Sequence, residues 1–111
     1  MQLQINYADF DDPAVQGRAC LEVCVRHQKP VIVMEPVKGG ILARLPAEAK
    51  QVFDSRTEAT PASFAIRYAA SAQNVFMVLS GMSDLAQVRE NVGFMRDFIP
   101  FTEEEYRTAE E

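Results

Sequence analysis

Polar and apolar residues alternate over residues 2–6 (QLQIN), the period of a short strand with one covered face. A polar loop, YADFDDP, follows, and then the period changes. Val15, Ala19, Leu21, Val23, Cys24 and Val25 recur at helical spacing between Ala14 and His27. That predicts a helix with Asp12 as N-cap and Pro13 at its first position. Gln28, Lys29 and Pro30 end it, because the residue before a proline is pushed out of the helical region. Val31–Met34 is wholly apolar and reads as a second strand, running into a loop from Glu35.

The segment PAEAKQVFDS is a short amphipathic piece with Ala49, Val52 and Phe53 on one face, and Arg56–Ala59 is a polar connector. Thr60-Pro61 is a helix start, a threonine N-cap with proline at the first position. Phe64, Ala65, Tyr68 and Ala69 then share a face, and Asn74 closes the helix. Val75–Leu79 (VFMVL) is a third strand, also wholly apolar. Ser80-Gly81-Met82 is a turn, and Ser83 is expected to cap a helix carrying Leu85, Val88, Val92 and Met95 on one side. Pro100 breaks the chain, and Thr102 with Glu105 forms a capping box that opens a last acidic helix, its first-turn glutamates complementing the dipole.

Strands alternating with helices predict an α/β chain with parallel strands and right-handed crossovers. Strands as apolar as 31–34 and 75–79 are expected to be covered on both faces. Ligands in such sheets bind at the C-terminal strand ends. All three ends carry unusual chemistry: Asn6-Tyr7-Ala8-Asp9, Glu35-Pro36-Val37-Lys38-Gly39-Gly40 and Ser80-Gly81-Met82-Ser83. Consecutive glycines let backbone approach a ligand closely. Glu35 is either a solvated loop charge or a paired, buried carboxylate.

Charge and composition narrow the partners. A net charge of −5 argues against nucleic acid and anionic membranes, which need a basic surface. No apolar run is long enough to span a bilayer, and MQLQINYADF lacks the pattern of a signal peptide, so a cytoplasmic location is expected. Cys20 and Cys24, four apart on a predicted helix, read as reduced, small apolar residues. His27 is the single histidine, so no zinc site is completed. The 111 residues suffice for one domain. Three parallel strands, however, leave edges unpaired, and a closed barrel takes about eight. With a strand beginning at Gln2, the chain is expected to be part of a larger fold or to complete itself by self-association.

The segments M-E-P-x-K-G-G and L-S-G-M-S…V-x-E-N resemble the aldo/keto reductases, nicotinamide-dependent oxidoreductases built on a (β/α)8 barrel. QLQINY resembles the sixth barrel strand and VIVMEPVKGG the seventh with its loop. TPASFAIRYA resembles the helix that follows, and VLSGMSDLAQVRENV the eighth strand with the cofactor-binding helix. The two most specific segments are most similar to a bacterial and archaeal branch that often carries an iron–sulfur segment after the barrel. The 111 residues themselves hold two cysteines, Cys20 and Cys24, and no cysteine-rich segment.

The resemblance implies a partial (β/α)8 TIM barrel, about three C-terminal β/α units over residues 1–111, holding part of an NAD(P)(H) surface. Gln2 matches the position that bonds the nicotinamide carboxamide, a task suited to an amide that both donates and accepts. Met34 stands where an aromatic residue often stacks on the nicotinamide ring. Glu35, Pro36, Gly39 and Gly40 would border the pyrophosphate. Gly81, Met82 and Ser83 would lie toward the adenosine, and Gln87, Glu90 and Asn91 would face adenine and ribose. Tyr7 would line the substrate pocket. Basic residues near the positions of Gly81 and Gln87 often accompany a preference for the 2′-phosphorylated cofactor. Neither residue is basic, which tilts toward NAD, with Arg89 nearby in sequence. The family's catalytic aspartate, tyrosine, lysine and histidine belong to the first half of the barrel, so the resemblance assigns no catalytic or metal-binding residue here. The chain is expected to be inactive alone and to need the remaining barrel. The alternative is a self-associating structural module without catalysis.

Overall fold

The computed structural model of the 111-residue chain describes residues 1–56, 60–96 and 98–110. Its centre is a three-stranded sheet: β1 (Gln2–Gln4), β2 (Val31–Met34) and β3 (Val75–Val78), in the order β1-β2-β3 and parallel throughout. Gln2, Leu3 and Gln4 lie opposite Ile32, Val33 and Met34. Between β2 and β3 the register slips after Val31, so that Val31 faces Val75 and Ile32 faces Met77. Pairing continues past the strand ends through Ile5 N–H to Met34 O and Leu79 N–H to Val33 O.

Among the described residues five helices accompany the sheet, α1 (Gly17–Arg26), α2 (Ala47–Arg56), α3 (Pro61–Ala70), α4 (Leu85–Arg96) and α5 (Glu103–Glu110), with a 3₁₀ turn at Ile41–Ala43. Thr60 caps α3 through its hydroxyl, which accepts from Ser63 N–H at 3.2 Å, with Pro61 at the first position. At α5 the capping box closes both ways. Thr102 Oγ1 accepts from Glu105 N–H, and Glu105 Oε1 accepts from Thr102 N–H, each at 3.2 Å.

Helix α1 begins three residues later than its periodicity predicts, and Asp12 is not its cap. The Asp12 carboxylate accepts from Ala14 N–H at 2.7 Å and holds a separate turn around Pro13. Gln16, left-handed at φ 55°, precedes the helix without a side-chain cap bond. Seating explains the shift. A Cβ on Gly17 would stand 3.0 Å from Gln4 O and 3.2 Å from a Phe10 ring carbon, so the first turn of α1 lies directly on β1. The covered stripe is accordingly Gly17, Leu21 and Cys24, while Ala19 and Val23 face solvent. The helix α3 also ends earlier than expected, at Ala70, and Asn74 at φ 66° makes the turn into β3.

The main core lies on one side of the sheet, where Ile5, Phe10, Leu21, Cys24, Val31, Val33 and Ala69 pack together. Burying Val31 and Val33 contributes about 1.5–3 kcal/mol each. A second cluster joins Phe64 to Phe101, ring centroids 4.7 Å apart, with Tyr7 and Tyr68 edge-on beside them. Arg67 reaches α5 from α3, with a two-pronged ion pair to Glu105 at 2.8 and 3.0 Å.

The expectation that both apolar strands are covered on both faces does not hold. Phe76, Met77 and Leu79 are exposed, as are Leu85, Val88, Val92 and Met95 along α4. The strand β3 is an edge, and the core helices shield one face of the sheet only. On α2, Ala49 is exposed, and the side chains of Val52 and Phe53 lie outside the described residues, as does the connector beyond Arg56. Among the described residues no helix is long and apolar enough to cross a membrane.

Candidate functional site

The loop after β2 turns sharply. Glu35 (φ 56°), Lys38 (φ 50°), Gly39 (φ 64°) and Gly40 (φ 92°) all occupy the left-handed region, which favours glycine and is strained for the other two. Turn bonds from Lys38 N–H to Glu35 O and Gly40 N–H to Val37 O compact it, and the 3₁₀ turn follows. Pro36 is buried beneath. A Cβ on Gly40 would meet nothing within 4 Å, and one on Gly39 would meet only Glu35 Oε2, at 3.9 Å. The glycine backbone therefore faces open space.

Opposite, the segment after β3 leads into α4. Asp84, not Ser83, caps this helix: its carboxylate accepts from Gln87 N–H at 2.8 Å. The Gln87 side chain reaches back to accept from Ser83 N–H at 2.7 Å. A carboxylate, with its charge, outcompetes the hydroxyl one residue earlier. Asn91 donates to Ser80 Oγ at 3.2 Å, and Glu90 accepts from the Thr60 hydroxyl, tying α4 to the start of α3. Gly81 has neither a positive φ nor any atom within 4 Å of a Cβ position, so nothing in the chain itself requires glycine there.

These two segments enclose a cleft of about 940 Å³ at the C-terminal ends of β2 and β3. Ten of the twelve residues expected at the cofactor line it: Met34, Glu35, Pro36, Gly39, Gly40, Gly81, Ser83, Gln87, Glu90 and Asn91. Met82 is exposed and is not among the lining residues. Gln2 is outside the lining too, but its amide donates to Met34 Sδ at 3.4 Å, which places it beside the cleft's inner end. Glu35 is exposed, the first of its two alternatives.

The other lining residues are mostly apolar, and one of them brings charge. Among the described lining residues Arg44, past the 3₁₀ turn, is the cationic one, and Glu35 and Glu90 are the acidic ones. No local motif marks it in the sequence, where Arg44 follows the glycine segment by several residues.

Tyr7, expected at the substrate pocket, is not among the residues that line this cleft. Its ring meets Phe64 and Tyr68 edge-on at 5.8 and 5.9 Å, and it lines a second cavity of about 410 Å³ with Phe10, Arg18, Tyr68 and Tyr106. Burial pushes its phenol above the ordinary value, so it is neutral at physiological pH. His27 follows α1 as its C-cap, at the end of the sheet away from the cleft. Cys20 is half-buried and Cys24 buried, both as free thiols. Among the described residues no cluster of three His, Cys, Asp or Glu side chains could hold a metal.

The fold has solved counterparts. The chain is similar to the aldo-keto reductase AKR11C1 from Bacillus halodurans. In the holo form the TM-score is 0.75 at 23% identity, over 98% of this chain and 40% of that one. It is also similar to the thermostable aldo-keto reductase Tm1743, solved with the inhibitor epalrestat, with a TM-score of 0.69 at 19% identity, over 97% of this chain and 37% of that one. At these identities the likeness establishes the fold, part of a (β/α)8 barrel, and the chain spans about 40% of the length of such relatives. No curated protein matches it. The aldo/keto reductase family model matches residues 1–111. The chain therefore belongs to the aldo/keto reductase family.

Proposed function

We propose that this chain carries the dinucleotide-binding section of an NAD(P)-dependent oxidoreductase, with the catalytic tetrad supplied from outside it. The observation that carries this reading is the cleft, which gathers the Gly39–Gly40 loop and the start of α4 around one space. Its volume is at the upper end of the roughly 300–1,000 Å³ of small-molecule sites. A nicotinamide cofactor would supply hydride transfer when bound. The chain's own part is to hold it. The Met34 thioether offers a soft contact to a ring, and the Gln2 amide lies beside it. The backbone at Gly39 and Gly40 has room for phosphate oxygens, and Arg44 supplies positive charge.

At the α4 end, the Glu90 carboxylate suits a ribose hydroxyl and repels a 2′-phosphate, which favours NAD over NADP. Titration of the chain with NAD(H) and NADP(H) tests this. Binding in the millimolar range or tighter, with NAD(H) preferred, is expected; no detectable binding of either at millimolar concentration overturns it. Turnover of NAD(P)H with aldehydes by the chain alone would refute the placement of the tetrad outside it.

The exposed apolar side of β3 and α4 favours a second reading, in which copies of the chain associate to cover it. Light scattering distinguishes the two: a monomer at high concentration removes self-association.

A further inference from the structure

The loop bordering the cleft holds two non-glycine residues in the left-handed region, Glu35 and Lys38, and each is tied to the exit of β1. Asn6 Nδ2 donates to Glu35 O at 3.2 Å, gripping the first strained residue by its carbonyl. Lys38 Nζ donates to Asp9 Oδ1 at 2.7 Å, holding the second by its side chain. Asn6 also fixes Asp9. Its Oδ1 accepts from Ala8 N–H at 3.1 Å and Asp9 N–H at 2.9 Å, and its Nδ2 reaches Asp9 Oδ2 at 3.5 Å. Asn6 is fully buried and Asp9 nearly so.

We propose that Asn6, Asp9 and Lys38 form a latch that presets the Glu35–Gly40 loop for its ligand. They act as positioning residues rather than contacts. Left-handed backbone at a non-glycine residue relaxes toward ordinary conformations unless its surroundings prevent it. Two such residues within four positions need two restraints, and the β1 exit provides one for each. A loop already ordered before binding spares the ligand the ordering cost. The role in ligand binding rests on reading the loop as the phosphate border; the latch itself does not.

The test uses the whole chain without cofactor. Amide hydrogen exchange is followed at Lys38, Gly40 and Leu42, whose N–H groups bond within the loop, with the buried Val31 and Phe64 as core references. In Asp9→Asn and Lys38→Met, loop exchange should rise about tenfold or more while the references hold. The double variant should be no worse than either single one, and Lys38→Arg should restore protection. Loop exchange unchanged in both variants overturns the latch. Should Asp9→Asn loosen the core, Lys38→Met decides, since that side chain is partly exposed. NAD(H) titration is the second arm, with affinity expected to fall about tenfold in both variants. Unchanged affinity despite a loosened loop overturns the positioning role. A loosened loop in a chain whose wild type binds no NAD(H) supports the latch and removes the cofactor reading instead.

Discussion

Two corners of the sheet invert the usual distribution of polarity. At the exits of β1 and β2, polar groups lie inside: Asn6 and Asp9 are buried, and among the described residues no buried side-chain nitrogen or oxygen lacks a partner. Along β3 and α4, apolar groups lie outside, with Phe76 and Leu85 each 60% exposed and Val92 56% exposed. Buried polar groups are tolerated only when fully bonded, and the first corner meets that condition within the chain. Contiguous exposed apolar surface marks an interaction face, and the second corner has no cover within the described residues. One side of the molecule is thus finished by its own sequence, and the other leaves apolar surface that the described residues do not cover.

The contrast breaks most visibly if the finished side is hollowed. Phe64 is almost fully buried, against Phe101 and Tyr7, so Phe64→Ala should cost about 3–5 kcal/mol. Urea unfolding of the two proteins measures it. A loss below about 1 kcal/mol would mean that the aromatic cluster is no tighter than the exposed edge. Next in size is Gly17→Ala. Ordinarily alanine favours a helix, yet here its Cβ would press on Gln4 O and the Phe10 ring, and the strain should cost about 1–3 kcal/mol. Stabilisation would show that α1 is free to lift from β1.

These residues also show what the sequence made legible. Local chemistry was: Thr60-Pro61 and the Thr102–Glu105 box start their helices as read, because cap bonds span three residues and need no tertiary information. The α1 boundary was not, because it depends on Gly17 meeting β1, a contact thirteen residues away in sequence from Gln4. The strand-end loops around the cleft were legible from their glycines, whereas Arg44 was not. Its place follows from how the chain turns after a loop rather than from any local pattern. The exposed state of β3 was missed for a related reason. An apolar strand states that it will be covered, but not by which chain.

A third, smaller effect sits on the finished side. Burial acts to raise the Glu105 carboxyl pKa, but the Arg67 and Thr102 hydrogen bonds and the Arg67 charge outweigh it and hold it below its ordinary value of 4.5. A depressed folded-state pKa contributes stability that is present above the unfolded value and lost as pH falls through the folded one. Glu105→Gln should therefore cost about 1 kcal/mol at neutral pH. The gap between variant and wild type should narrow as pH drops below 4.5. Thermal melts from neutral to acid pH check both; a gap independent of pH would assign the loss to packing rather than charge.

The smallest effect on stability is expected at the unfinished side, and it is the most discriminating. Val92 is 56% exposed in the middle of α4, so Val92→Lys should leave stability within about 0.5 kcal/mol of wild type. What should change is association. A lysine on an exposed apolar face disfavours burial against a neighbour, since its charge must be desolvated or moved aside. If the chain self-associates through this face, sedimentation should show the variant shifting to monomer at concentrations where wild type is assembled. A loss of stability above 1 kcal/mol would mean that α4 is packed within the chain, and the contrast between the two corners would disappear. A wild type that stays monomeric, beside an equally stable variant, would remove self-association and favour the reading in which other barrel units cover the face, since the chain spans about 40% of a solved relative's length.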